Sequence, residues 1–165
     1  MESAVWGIIG ALVGAFASIA TTYIQTRNAG YLQEADVKRQ REERLREFQR
    51  NTLIELQDVL HDLWRMATRI YLEDEAAFKN SGNWGANRLS DEVNEGYRVL
   101  GRRATILLER VSDNQLRAEV KDVMGRLSNM TLSRSKADAD RTQFAMADEG
   151  PAVMERIGIV LRSQY

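Results

Sequence analysis

The chain has no cysteine, one histidine and one proline among its 165 residues, and its formal net charge is only -1. Without cysteine it has neither a disulfide framework nor a thiolate metal site, and His61 alone cannot build a histidine cluster. The missing cysteines fit a reducing cytosolic face. The near-neutral balance, with a sequence pI of about 5.9, lacks the excess of Lys and Arg on which nucleic-acid binders depend, so no nucleic-acid partner is expected. There is no Gly-x-Ser-x-Gly elbow, phosphate loop, dinucleotide fingerprint or zinc-protease motif. With a single histidine to serve as general base, the chain reads as a non-enzyme without a cofactor or metal. A further absence is local: from Ala4 to Ile24 no side chain is charged at neutral pH.

That uncharged run predicts a transmembrane anchor over residues 1–26, with the lipid bilayer as its surroundings. A helix of about 21 residues, rising roughly 1.5 Å per residue, covers the roughly 30 Å hydrocarbon core and satisfies its own backbone hydrogen bonds there. A cleaved signal peptide fits less well, because only Met1, Glu2 and Ser3 precede the run and none is basic; Ala15-Phe16-Ala17 is its candidate cleavage site. Arg27, Lys38, Arg39 and Arg41 follow the span and nothing positive precedes it, which orients the N-terminus outside and the C-terminal domain in the cytoplasm. Trp6 and Tyr23 stand near the two ends of the span, where amphipathic rings favour the headgroup region, and Arg27 marks the exit.

Small residues recur every fourth position inside the run. Gly10, Gly14 and Ser18 form one ridge, and Gly7, Ala11 and Ala15 form the ridge beside it. In lipid, helices pair through close backbone approach and dispersion, which small residues permit, so this face predicts a homo-oligomer.

After a weak break at Asn28-Ala29-Gly30, neither Pro nor Gly interrupts Tyr31 to Lys79, and the segment predicts one long helix. Residues 27–50, with Lys38, Arg39, Arg41, Glu42, Glu43, Arg44, Arg46 and Glu47, read as a charged helical stalk supported by i,i+4 pairs. Residues 51–165 read as a cytoplasmic helical bundle. Leu53, Leu56, Leu60, Leu63, Ala67 and Ile70 lay one apolar stripe along the first helix. A loop from Asn80 to Asn87 follows, and Ser90 caps a second helix carrying Val93, Tyr97, Leu100, Ala104, Leu107 and Val111. Ser112 to Gln115 has capping-box spacing and opens a third helix with Leu116, Val120, Val123, Leu127 and Met130. Leu132 to Thr142 reads as a polar connection, and Gly150-Pro151 as the start of a short last helix with Val153, Ile157, Val160 and Leu161. The fold expected is all-α: an N-terminal transmembrane helix continuing through a stalk into an antiparallel bundle of about four helices.

The sequence Gly10-Ala11-Leu12-Val13-Gly14-Ala15, a Thr-Tyr-Ile exit and the Arg/Glu stalk together resemble short bacterial single-pass membrane proteins of unknown function. The resemblance covers roughly the first 60 residues and implies a bacterial or phage origin, hence an inner-membrane location, and no activity.

Candidate sites are few. Asp58 and His61 have the spacing of di-iron bundle ligands, but at about 100° per residue Asp58 points away from the leucine stripe and His61 to its side. Glu73, Asp74 and Glu75 would meet Asp91, Glu92 and Glu95 across the loop, yet no oxygen-rich calcium loop is present. Trp84, bracketed by Gly82 and Gly85, and the one-face pair Arg98 and Arg102 are the candidate contacts for an unidentified cytoplasmic protein partner; Arg65 and Arg69 form a second such pair. The function expected is a self-associating interaction or scaffold protein. The alternatives are a membrane-permeabilising protein, holin-like or a defence effector, and a tethered sensor in which Arg98 and Arg102 take a small anion.

Overall fold

The computed structural model describes residues 2–86 and 89–165, and the side chains of 2–6, 8–13 and 28 lie outside that description. Four helices, α1 (Glu2–Ser81), α2 (Asp91–Leu108), α3 (Asn114–Thr131) and α4 (Lys136–Arg162), hold 87% of the chain, and no strand occurs among the described residues. The chain divides into two compact units, Met1–Leu45 and Arg46–Tyr165.

In the first unit the helix runs through Asn28-Ala29-Gly30 without the break expected there. A single glycine costs only about 1 kcal/mol in a helix, too little to end one whose neighbours on both sides are helix formers. Thr21 and Thr22 donate their hydroxyls to the carbonyls of Ala17 and Ser18, at 2.8 and 2.9 Å, so neither needs a partner outside its own helix. Among the described residues no helical segment is long and apolar enough to cross a membrane. Most of the expected anchor's apolar side chains, at 4–6 and 8–13, lie outside the described residues.

The second unit is built on the leucine stripe. Leu53, Leu56, Leu60, Leu63, Ala67 and Ile70 are all buried, joined by Val59. They meet Val93, Ala104, Leu107 and Val111 of α2 and its exit, Leu116, Val120, Val123, Leu127 and Met130 of α3, and Met146 and Ile157 of α4. Polar contacts fix the directions. The Gln49 side-chain amide donates to the Arg110 carbonyl at 2.8 Å and accepts from the Ser112 N–H at 3.0 Å, tying the α2–α3 turn to the start of this part of α1. At the opposite end Tyr71 donates to Asp140 of α4, and the Trp84 indole donates to the Ser133 carbonyl. Successive helices therefore run antiparallel.

Two helix starts differ from expectation. The α3 cap is Asp113, which accepts from Leu116 N–H, while the preceding Ser112 donates its backbone N–H to Gln49. More substantially, α4 begins at Lys136, capped by Ser135, and passes through Pro151. The Ser135 hydroxyl accepts from Asp138 N–H at 3.2 Å and lies 2.7 Å from the Asp138 carboxylate, a local arrangement that starts a helix where a polar connection was expected. The inward row of α4 runs Ala139, Gln143, Met146, Gly150, Val153, Ile157 and Val160 in regular 4-3 steps, with Gln143 and Val153 half-buried and the others buried. Gln143 and Gly150 interrupt its hydrophobic signal.

Gly150 occupies that row because Trp64 lies flat against it; a Cβ at this position would fall inside the indole. Gly150→Ala is therefore expected to lower stability by about 1–3 kcal/mol through overpacking, although alanine is the better helix former. Denaturant unfolding followed by Trp fluorescence measures this, and a stabilised variant would contradict the packing.

Candidate functional site

α2 presents its outer face beside α1 as a groove of about 380 Å³ lined by Arg98, Arg102, Arg103 and Arg110, with Val99 and Ile106 between them and Glu55 and Glu95 at its edges. The residues come together because 99, 102/103, 106 and 110 recur at helical spacing on one side of α2, bordered by the buried Leu107. Val99 and Ile106 stay 51% and 45% exposed. Arg103 forks onto one oxygen of Glu55 on α1, at 3.0 and 2.8 Å, and Arg98 makes a two-nitrogen, two-oxygen contact with Glu95 at 2.9 and 2.8 Å. The Arg98 hydrogen bonds hold the Glu95 carboxyl below its ordinary range, and the same bonds raise the guanidinium. Both groove carboxylates are thus engaged, while Arg102 and Arg110 line the groove with no carboxylate partner among the described residues.

A second cavity of about 360 Å³ along the same helix pair is lined by Asp62, Arg65, Met66, Arg69 and Leu100. Arg65 pairs with Asp62 and Arg69 with Glu73, each at 2.9 Å. The two one-face arginine pairs noted in the sequence thus line cavities on one pair of helices.

Trp84 has an intramolecular role. The tight loop around it uses Gly82 and Gly85, both at φ +70, a conformation costly for other residues. Its ring centroid lies 5.8 Å from that of Tyr71 and 6.0 Å from that of Phe78, and Lys136 stands over it at 5.9 Å. Beside it Tyr71 donates to Asp140 at 2.6 Å, and Lys136 contacts both Asp140 oxygens. Burial first and the Asp140 contact second push the Tyr71 phenol up to about 12. Its contribution to stability is therefore complete below the ordinary value near 10 and is lost as pH rises through about 12. The Asp140 carboxyl is held low by Lys136 and then by Tyr71, so its contribution is lost as pH falls through that lowered value. Position 140 lay in the supposed connection, which hid this cluster from the sequence.

Of the remaining candidates, Asp58 and His61 are exposed, and no group of three or more His, Cys, Asp or Glu among the described residues has a metal-holding arrangement. Glu73 and Glu75 are drawn into pairs with Arg69 and with Lys79 and Lys136. Of the expected oligomerisation face, Gly7 and Gly14 have open space where a Cβ would stand, Ala15 and Ser18 are exposed, and the side chains of Gly10 and Ala11 lie outside the described residues, as does Trp6. Tyr23 is exposed, and Arg27 reaches the Tyr31 hydroxyl at 3.3 Å. Comparison with known families, curated proteins and solved structures gave no match.

Among the described residues Asp74 is the one buried carboxylate, 8% exposed in a cleft shared with Trp84, Ser133 and Arg134. Burial, and then the charge of Glu73, raise its carboxyl above the ordinary range, so its ionisation works against folding at neutral pH. Asp74→Asn is expected to raise the melting temperature at pH 7. The gain should shrink as pH falls through that raised value and vanish below about 4, where the aspartate is neutral in both states. Melting curves followed by circular dichroism test this, and a destabilised Asn variant at pH 7 would contradict it.

Proposed function

We propose that this chain is a membrane-tethered, self-associating helical scaffold that holds its bundle at the cytoplasmic face of a bacterial inner membrane, with the N-terminus outside. The observation that carries the reading is the uncharged run from Ala4 to Ile24 with small residues at every fourth position. Exposed glycines at 7 and 14 leave room for a second helix to approach closely. The back-bonded hydroxyls of Thr21 and Thr22 suit a helix whose exit end lies in or near lipid. Confining several copies in one bilayer raises the local concentration of their bundles, so individually weak contacts with a partner become multivalent.

The bundle supplies the binding surface in this reading, and no catalytic step is assigned to it. A stable pore is not favoured as the role of the span, because an uncharged helix whose Thr21 and Thr22 hydroxyls bond to its own backbone offers little polar face to line one.

Gly10→Ile combined with Gly14→Ile puts branched side chains on the ridge and is expected to abolish crosslinked oligomers in native membranes while leaving the protein membrane-bound. Oligomers of unchanged size would overturn self-association through this face, and recovery of the chain in the soluble fraction would overturn the anchor.

A further inference from the structure

We propose that the arginine-lined groove between α1 and α2 docks an acidic amphipathic helix of a partner protein. The inference rests on the interaction-module reading and names the class of its partner. Four features of the groove select the occupant.

The first is the apolar strip. Val99 and Ile106 stand seven residues apart on α2, about 10.5 Å along its axis, and both are exposed. That is the repeat of a helix's own i, i+3/i+4, i+7 stripe, so a second helix lying along α2 meets both with residues two turns apart. The second is charge. Arg98 and Arg103 pair with Glu95 and Glu55, while Arg102 and Arg110 are exposed with no carboxylate partner among the described residues. Guanidinium forks favour carboxylates in this role.

The third is spacing. Arg102 and Arg110 are eight residues apart, about 12 Å along the axis, so one extended ligand can meet both. Carboxylates two turns apart on one chain match that distance. The fourth is extent. Glu55, Asp62, Met66 and Arg69 stand at i, i+7, i+11 and i+14, one row of α1, and line the two cavities of this helix pair. The row is about 21 Å long, room for some four helical turns.

The test uses the full chain in nanodiscs of zwitterionic lipid and two labelled synthetic helices of about four turns, with identical leucine stripes flanked by glutamates or by lysines. Fluorescence anisotropy should show the glutamate helix binding at least about tenfold more tightly than the lysine helix at low salt. Arg102→Glu with Arg110→Glu should reverse that preference, a gain of binding that a misfolded variant would not show. Val99→Asp should weaken the glutamate helix. Equal binding of the two helices, or a preference unchanged by the double charge reversal, would overturn the proposal. Displacement of the glutamate helix by millimolar inorganic phosphate would reassign the groove to a small anion, and displacement by anionic vesicles would reassign it to a lipid surface; either overturns docking of a protein helix. Peptide binding is read per protomer, so it is independent of crosslinked oligomers: loss of one with retention of the other identifies which of the two readings fails.

Discussion

The bundle depends on the apolar row that α1 carries from Leu53 to Ile70. An isolated helix of 18 residues such as α2 or α3 is marginal in water, since nucleation is costly and each turn gains little by itself. Burying a leucine or isoleucine against a neighbour contributes roughly 1.5–3 kcal/mol, so stability comes from the faces these helices share rather than from their propensities. Six members of the α1 row are buried, and the rows of α2, α3 and α4 close on it. Once that wall is in place, the contacts at its two ends gain their geometry: Gln49 reaches both sides of the α2–α3 turn only because α1 and α2 are already in register, and Tyr71 meets Asp140 because α4 packs along the same wall.

Close packing also accounts for the least expected residues. A glycine before the only proline would ordinarily signal a helix boundary, yet Gly150 is there to admit the Trp64 ring, and the helix continues through Pro151. The ion pairs outside the core have a different weight. Exposed pairs such as Arg98 with Glu95 stabilise the fold little, and screening by salt reduces that further. Their effect is to settle which guanidinium groups are already satisfied. In the α1–α2 groove this sorting leaves Arg102 and Arg110 beside two exposed aliphatic side chains, a combination suited to recognition more than to stability.

The sequence was most legible where residues repeat a simple period. The α3 row Leu116, Val120, Val123, Leu127 and Met130 is buried as its spacing predicts, and so is the α1 row. It was least legible where size or polarity broke the period without breaking the helix. In α4, Ala139 and Gly150 are too small to register as apolar, and Gln143 is polar although its Oε1 is buried without a partner. Asn28-Ala29-Gly30 misled in the opposite direction, since composition suggested a stop that the helix does not make. Of the groove, the Arg98–Arg102 pair was visible as a one-face pair. Glu55, Arg103 and Arg110 were not, because the partnership of α1 with α2 at that level is a tertiary fact; the signal was the run of arginines at 98, 102, 103 and 110 around exposed Val99 and Ile106.

One chain thus combines two kinds of surface: an uncharged, small-residue run suited to lipid and to its own copies, and a bundle whose outer groove is suited to an acidic partner. Their separation by a membrane interface is the central claim, and the absence of native cysteine makes it directly measurable. Ser3→Cys and Gln115→Cys, each the only thiol in its chain, are treated in intact spheroplasts with a membrane-impermeant maleimide. The account predicts that position 3 is labelled at once and position 115 only after the membrane is opened. Immediate labelling of position 115, or protection of position 3, would contradict it.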